Sequence, residues 1–96
     1  MITLQQIQLR LRGRMRFLKS RYQVESMAVF GSFANGTLRK ESDVDILIDF
    51  KETPDLFDFL QVESYLENVL GRRVDLVRKQ VLRKELAEVL DGAIEI

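Results

Sequence analysis

Residues 43–50, DVDILIDF, constrain the fold of this chain more than any other segment. Side chains along a β-strand point alternately to the two faces of the sheet. In this segment the alternation gives one face that is wholly apolar and one that carries the aspartates. The apolar face consists of Val44, Ile46, Ile48 and Phe50. We therefore expect a strand with one face in a hydrophobic core and with Asp43 and Asp45 pointing together from the other.

The segments on either side predict the rest of a small α/β domain. Residues 3–21 carry apolar residues at alternating spacings of three and four, which is typical of an amphipathic helix. Thr53 and Pro54 suit a helix start, and Gly71 suits a left-handed helix end. The predicted helices are 3–21, 54–70 and 81–91, and the predicted strands are 26–31, 43–50, 72–78 and a short edge strand at 93–96. This order predicts an α/β (α+β) fold, with helices packed on a small mixed sheet.

The two longer helices each have a predicted inward face. In the first helix it consists of Leu4, Ile7, Leu11, Met15, Leu18 and Tyr22. In the second it includes Leu56, Phe59, Leu60, Leu66, Val69 and Leu70. Phe57 and Tyr65 fall outside that stripe, and isolated exposed aromatic side chains are ordinary on protein surfaces.

The absence of two residue types limits the chemistry that the chain can perform. It has no cysteine, which excludes disulfides, thiolate nucleophiles and zinc ribbons. It has no histidine, so a proton acceptor near neutral pH must be a carboxylate, a lysine or a tyrosine. The 96 residues suit one small domain with a single core. No apolar run approaches the roughly 20 residues of a membrane span and no signal-peptide core is visible, so we expect a cytoplasmic protein.

Charge is balanced in number but not in position. There are 15 basic and 15 acidic residues, and this balance gives no reason to expect direct nucleic-acid binding. Residues 1–24 contain six basic residues and no acidic one, whereas residues 52–68 contain five acidic residues and no basic one. The basic helix is either a docking surface for a partner, a contact to a bound anion, or simply a solvated face.

The aspartates of the 43–50 strand are candidates for a metal site. Asp43 and Asp45 have α-carbons roughly 6.6–6.8 Å apart, so their carboxylates can hold a cation between them. Asp75 lies in the predicted 72–78 strand, and it joins them if the two strands are neighbours. Three carboxylates suit a two-metal site for an in-line displacement at phosphorus. The alternative for an isolated Asp-x-Asp is a solvated strand edge or a turn.

Gly31 and Ser32, directly after the predicted 26–31 strand, are candidates for binding phosphate. A glycine at a strand end lets the backbone approach a ligand closely, and free N–H groups of a following turn or short helix bind anions. The Ser32 hydroxyl adds a donor, and Arg39 and Lys40 are near enough in sequence to neutralise phosphate charge. A Gly-Ser pair by itself is more often only a turn.

The arrangement of Gly-Ser, ten further residues and Asp-x-Asp resembles the DNA polymerase β-like nucleotidyltransferase superfamily. Within it, the chain is similar over nearly its whole length to the minimal nucleotidyltransferase (MNT) antitoxins. The similarity is carried by AVFGSFANG, SDVDILIDF, the helix start P-DLFDF-L, and GRRVDLV. It implies the nucleotidyltransferase fold, with residues 1–96 forming a single minimal nucleotidyltransferase domain.

The resemblance also implies roles for individual residues. Gly31 and Ser32 would hold the nucleotide triphosphate, and Asp43 and Asp45 would ligate two Mg²⁺ ions. Asp75 would ligate the catalytic ion and help to deprotonate the acceptor hydroxyl. The implied reaction is transfer of AMP from ATP, with release of pyrophosphate, to a tyrosine of a HEPN-domain ribonuclease toxin. One departure is visible, because many family members carry a basic residue where this chain has Asn35.

Two hypotheses about function remain open on the sequence alone. The first is an active Mg²⁺-dependent adenylyltransferase that modifies its partner toxin. The second is a non-catalytic antitoxin of the same fold that neutralises the toxin by forming a complex. The three aspartates favour the first, because clustered carboxylates cost stability when no metal is bound. A chain this short leaves little room for an acceptor pocket, so we expect a macromolecular acceptor, and a homo-oligomer is compatible with these features.

Overall fold

In the computed structural model, residues 3–31, 43–79 and 93–96 are described. Over these ranges, two helices pack on a four-stranded mixed sheet, which confirms the predicted fold class. The helices are α1 (Leu4–Tyr22) and α2 (Leu56–Leu70), and the strands are β1 (Val24–Phe30), β2 (Val44–Phe50), β3 (Val74–Arg78) and β4 (Ile94–Glu95). The strand order is β3-β2-β1-β4. β1 pairs antiparallel with both β2 and β4, while β2 and β3 are parallel.

Helix α1 begins at a capping box. The Thr3 hydroxyl accepts a hydrogen bond from the Gln6 amide at 3.2 Å, and the Gln6 side chain accepts one from the Thr3 amide at 2.9 Å. This exchange satisfies two backbone donors that would otherwise have no helical partner. The predicted inward stripe is confirmed: Ile7, Leu11 and Leu18 are fully buried, and Leu4, Met15 and Tyr22 pack against the same core.

The alternation predicted for β2 is confirmed. Val44, Ile46, Ile48 and Phe50 all lie in the core beneath the helices. On the opposite face, Asp45 and Asp49 are partly exposed, whereas Leu47 is only 3% exposed. The central position of that second face is therefore covered as well, and the sheet is not open to solvent there.

The predicted start of α2 was wrong. We expected Thr53 to cap the helix with Pro54 in its first turn, but the helix begins at Leu56 and Asp55 is the cap. The Asp55 carboxylate accepts a 2.7 Å hydrogen bond from the Asp58 amide. Threonine and aspartate are both competent caps, and the proline precedes this helix instead of entering it. The predicted end is confirmed, because Gly71 adopts a left-handed conformation with φ +67°.

The predicted inward face of α2 was partly wrong. Leu56 and Leu60 are 73% and 50% exposed, and Val62 takes the core position instead. At about 100° per residue, Leu60 lies roughly 120° around the helix from the buried Leu66, which is too far to share its face. The observed core face repeats every four residues, at Val62, Leu66 and Leu70.

The other boundaries differ from the predictions by small amounts. β1 begins at Val24 instead of residue 26, and β3 begins at Val74 instead of residue 72. The short edge strand near the end of the chain is confirmed as β4, on the side of β1 away from β2. The predicted helix at 81–91 and the turn after Gly31 lie outside the described residues. Neither α1 nor α2 is long and apolar enough to span a membrane.

Candidate active site at the start of β2 and β3

The parallel pairing of β2 and β3 brings two predicted site residues side by side. Asp45 and Asp75 are register partners, on neighbouring strands about 4.8 Å apart. The Val44 amide donates a 2.9 Å hydrogen bond to the carbonyl oxygen of Arg73, which ties the starts of the two strands together. The expectation that these strands are neighbours is thus confirmed. Asp45 and Asp75 point from the sheet face opposite the helices.

Asp43 lies immediately before β2, two positions from Asp45, and is exposed. The negative charge of Asp43 repels the carboxylate of Asp45. Burial is the largest cause that raises the pKa of Asp45 above its ordinary value of 3.8, and the carboxylates of Asp75 and Asp43 raise it further. The three aspartates singled out in the sequence therefore share one electrostatic environment, in which negative charge at Asp45 is disfavoured.

Gly31 is in direct contact with this carboxylate group. It follows β1 with a φ of +73°, a backbone conformation that residues with a Cβ rarely adopt. A Cβ at this position would overlap a carboxylate oxygen of Asp45 and lie 3.0 Å from its Cγ. The antiparallel register explains the contact, because Phe30 is the partner of Asp45. Glycine is required here for its backbone conformation and for the space that Asp45 occupies.

The other residues of the predicted phosphate-binding segment cannot be placed in the same way. Ser32, Asn35, Arg39 and Lys40 lie outside the described residues. The contact between Gly31 and Asp45 nevertheless joins the two halves of the Gly-Ser and Asp-x-Asp pattern at one point of the sheet.

The carboxylate oxygens of Asp43, Asp45 and Asp75 are the type of ligand that a hard divalent cation prefers. Mg²⁺ prefers oxygen ligands and commonly takes one or two carboxylates together with substrate phosphates. A cation would also offset the mutual repulsion that acts on Asp45. Within the described ranges, no set of three or more acidic, histidine or cysteine side chains is already drawn together around one point. The assignment of Asp43, Asp45 and Asp75 as metal ligands remains a prediction.

Two glutamates on α2 were not identified as part of this region from the sequence. Glu67 accepts a 3.0 Å hydrogen bond from the amide of Val74, the residue directly before Asp75. Burial, followed by the carboxylates of Glu67 and Asp75, raises the pKa of Glu63. Their i, i+4 spacing puts them on one side of α2. The spacing was visible in the sequence, but only the packing of α2 beside β3 shows that the two glutamates lie near the start of β3.

Comparisons with known proteins identify the family of the chain. The sequence matches the family model described as a nucleotidyltransferase domain over residues 11–94. It is 43% identical over 90 residues to the protein adenylyltransferase MntA of Thermococcus cleftensis, which covers 94% of this chain and 91% of that protein.

Two solved structures extend the agreement to the fold. One, an inferred minimal nucleotidyltransferase, has a TM-score of 0.80 and 36% identity, and the match covers 99% of this chain and 97% of the other. A second, a tri-AMPylated HEPN toxin of Shewanella oneidensis in complex with an MNT antitoxin, has a TM-score of 0.63 and 21% identity. That match covers 93% of this chain and 70% of the other. The family match over most of the sequence, the identity to MntA and the shared fold show that the chain is a nucleotidyltransferase and belongs to the minimal nucleotidyltransferase (MNT) family.

Proposed function

We propose that this chain is the antitoxin of a toxin–antitoxin pair, and that it transfers AMP from ATP to a tyrosine hydroxyl of a HEPN-domain toxin. The observation that carries the proposal is the placement of Asp45 against Gly31 and beside Asp75. Two relatives support the same reaction and partner. The Thermococcus relative is named a protein adenylyltransferase, and the Shewanella complex contains an AMPylated HEPN toxin. Residues 1–96 would then act as one minimal nucleotidyltransferase domain.

The proposed reaction is a direct transfer that needs no covalent enzyme intermediate. The tyrosine oxygen attacks the α-phosphorus of ATP, the bond from that phosphorus to the bridging oxygen of pyrophosphate breaks, and pyrophosphate leaves. The proton of the tyrosine hydroxyl passes to a carboxylate, for which Asp75 is the candidate. Asp43, Asp45 and Asp75 would hold Mg²⁺, which supplies neutralisation of the phosphate charge when bound. Such chemistry depends mainly on positioning and charge, which suits a chain without cysteine or histidine.

Gly31 has a positioning role in this scheme. It follows β1 with a positive φ, and its lack of a side chain leaves room for the Asp45 carboxylate. The backbone of Gly31, with Ser32 after it, would lie against the triphosphate. The acceptor would be presented by the partner protein, whose surface completes the site.

The test is transfer of label from ATP marked at its α-phosphate to the partner toxin, with Mg²⁺ present. We expect Asp45→Asn and Asp75→Asn to abolish labelling. Asp49→Asn is the matched control, because Asp49 lies on the same face of β2 but pairs with Ser26, four positions along the strand from Asp45. Loss of labelling in all three variants, or in none, would contradict the assigned site. A wild-type chain that inhibits the toxin with no label transferred would establish the alternative, a non-catalytic binding antitoxin.

A further inference from the structure

A glutamate near the end of α2 holds the peptide group that directly precedes Asp75. The Glu67 carboxylate accepts a 3.0 Å hydrogen bond from the Val74 amide, which belongs to the peptide group between Arg73 and Val74. The carbonyl oxygen of the same peptide group accepts a 2.9 Å hydrogen bond from the Val44 amide. The N–H and the C=O of a trans peptide group point in opposite directions. This peptide group is therefore held by β2 on one side and by α2 on the other.

The same glutamate closes the connection from α2 to β3. The backbone carbonyl oxygen of Glu67 accepts a 2.8 Å hydrogen bond from the Gly71 amide, where the left-handed backbone ends the helix. Its side chain reaches forward to Val74, the first residue of β3. One residue thus fixes both the end of the helix and the start of the strand, on either side of the short connection 71–73.

The end of α2 that carries Glu67 is itself held in place. Leu66 and Leu70 lie in the core. The Arg10 guanidinium on α1 donates to the carbonyl oxygens of Val69 and Leu70, at 3.4 Å each. A positive charge at this end also suits the negative end of the helix dipole. The Glu67 carboxylate therefore extends from a fixed support.

The alternation of side chains leaves part of the position of β3 open. Val74 and Leu76 are buried and Asp75 is exposed, which fixes the face to which Asp75 points. A shift of β3 by two residues would keep the same faces but would move Asp75 about 6.6 Å along β2, away from Asp45. Among the described strands, β3 has a neighbour on one side only. The hydrogen bond to Glu67 holds the start of β3 on its other side.

We propose that Glu67 is a positioning residue of the active site, which fixes the start of β3 so that Asp75 stays opposite Asp45. The inference rests on the proposed function, in which Asp75 is the candidate acceptor of the tyrosine proton. A displacement of about 1 Å can lower the rate of a transfer reaction about a hundredfold. Hydrogen bonds on the two sides of one peptide group strengthen each other, and a carboxylate is a strong acceptor. Loss of the Glu67 carboxylate should therefore also loosen the bond between Val44 and Arg73.

Steady-state transfer of label from ATP marked at its α-phosphate to the partner toxin, with Mg²⁺ present and all variants folded, is the first test. We expect Glu67→Ala to lower kcat by about tenfold or more. The KM for ATP should stay within about twofold, because the contact between Gly31 and Asp45 is retained. Glu67→Gln keeps an oxygen that can accept from the Val74 amide, so it should restore most of kcat. Asp55→Ala is the matched control and should leave kcat unchanged, because it removes a carboxylate bonded to a backbone amide at the other end of α2.

Amide hydrogen exchange of the chain alone tests the positioning without ATP or toxin. We expect the Val44 amide to exchange about tenfold faster in Glu67→Ala than in Asp55→Ala, once each rate is corrected for the difference in global stability. Glu67→Gln should restore most of the protection.

The outcomes separate this inference from the proposed function. If the wild type transfers label but Glu67→Ala keeps its kcat, or if Val44 exchanges alike in Glu67→Ala and Asp55→Ala, the positioning role is wrong. A Glu67→Gln variant as slow as Glu67→Ala would also overturn it, because the charge and not the hydrogen bond would then matter. A wild-type chain that transfers no label would refute the proposed function, and the role of Glu67 in catalysis would fall with it.

Discussion

The contact between Gly31 and Asp45 makes Gly31→Ala the most informative single substitution. The variant must hold alanine at a φ of +73°, which costs roughly 1–2 kcal/mol. Its Cβ must also displace the Asp45 carboxylate, which it would overlap. Because that carboxylate is the end of a side chain, it can rotate away at a cost of about 0.5–1.5 kcal/mol. We therefore expect a total loss of about 1.5–3.5 kcal/mol in the free energy of unfolding.

Gly71→Ala separates the two costs. Gly71 has almost the same backbone conformation, with φ +67°, but a Cβ there has nothing within 4 Å. Its loss of stability in urea unfolding should report the backbone cost alone. The excess loss of Gly31→Ala over Gly71→Ala should then measure the displacement of Asp45.

The double-mutant cycle with Asp45→Ala completes the test. Without a carboxylate at position 45, the extra Cβ at position 31 meets only the Cβ of residue 45, at 3.3 Å, so most of the excess should disappear. In the transfer assay, Gly31→Ala should lose activity because the carboxylate is moved, while Gly71→Ala should keep it. If Gly31→Ala matches Gly71→Ala in both stability and activity, the contact has no role and the reasoning is wrong. An excess that persists undiminished in the Asp45→Ala background would contradict it equally.

The remaining predictions concern the carboxylates. The pKa of Asp45 is raised in the folded chain, so the wild type loses stability as pH rises from 3.8 through the folded pKa, and Asp45→Asn does not. In metal-free unfolding, Asp45→Asn should therefore be more stable than the wild type at neutral pH. Below pH 3.8 the two should be equally stable. Added Mg²⁺ should raise the unfolding temperature of the wild type and leave that of Asp45→Asn nearly unchanged. Glu67→Ala should cost about 1–3 kcal/mol in urea unfolding, because the Val74 amide loses its acceptor, and Glu67→Gln should cost less. Asp55→Ala should cost about 1 kcal/mol by removing the cap of α2, while Thr53→Ala should cost almost nothing.

The elements with a strong local pattern were predictable from the sequence. The two faces of β2 and the inward stripe of α1 follow from the geometry of a single strand or helix, and both were confirmed. The start of α2 was not predictable, because Thr53 and Asp55 are both suitable caps and only the packed helix shows which one is used. The face of α2 was misjudged for a related reason. Leu56 and Leu60 are as hydrophobic as core residues, and their exposure depends on how the helix is rotated against the sheet.

Alternation is a property of the local backbone, so residues 43–50 alone predicted that Asp43 and Asp45 point to one side and that an apolar face lies behind them. The sequence also identified Asp75 as a candidate third carboxylate. The folded chain was needed to show that Asp75 lies beside Asp45, that Gly31 contacts the Asp45 carboxylate, and that the Glu67 carboxylate accepts a hydrogen bond from the amide before Asp75. These relations join residues far apart along the chain, so they depend on strand register and helix packing, which no local pattern specifies.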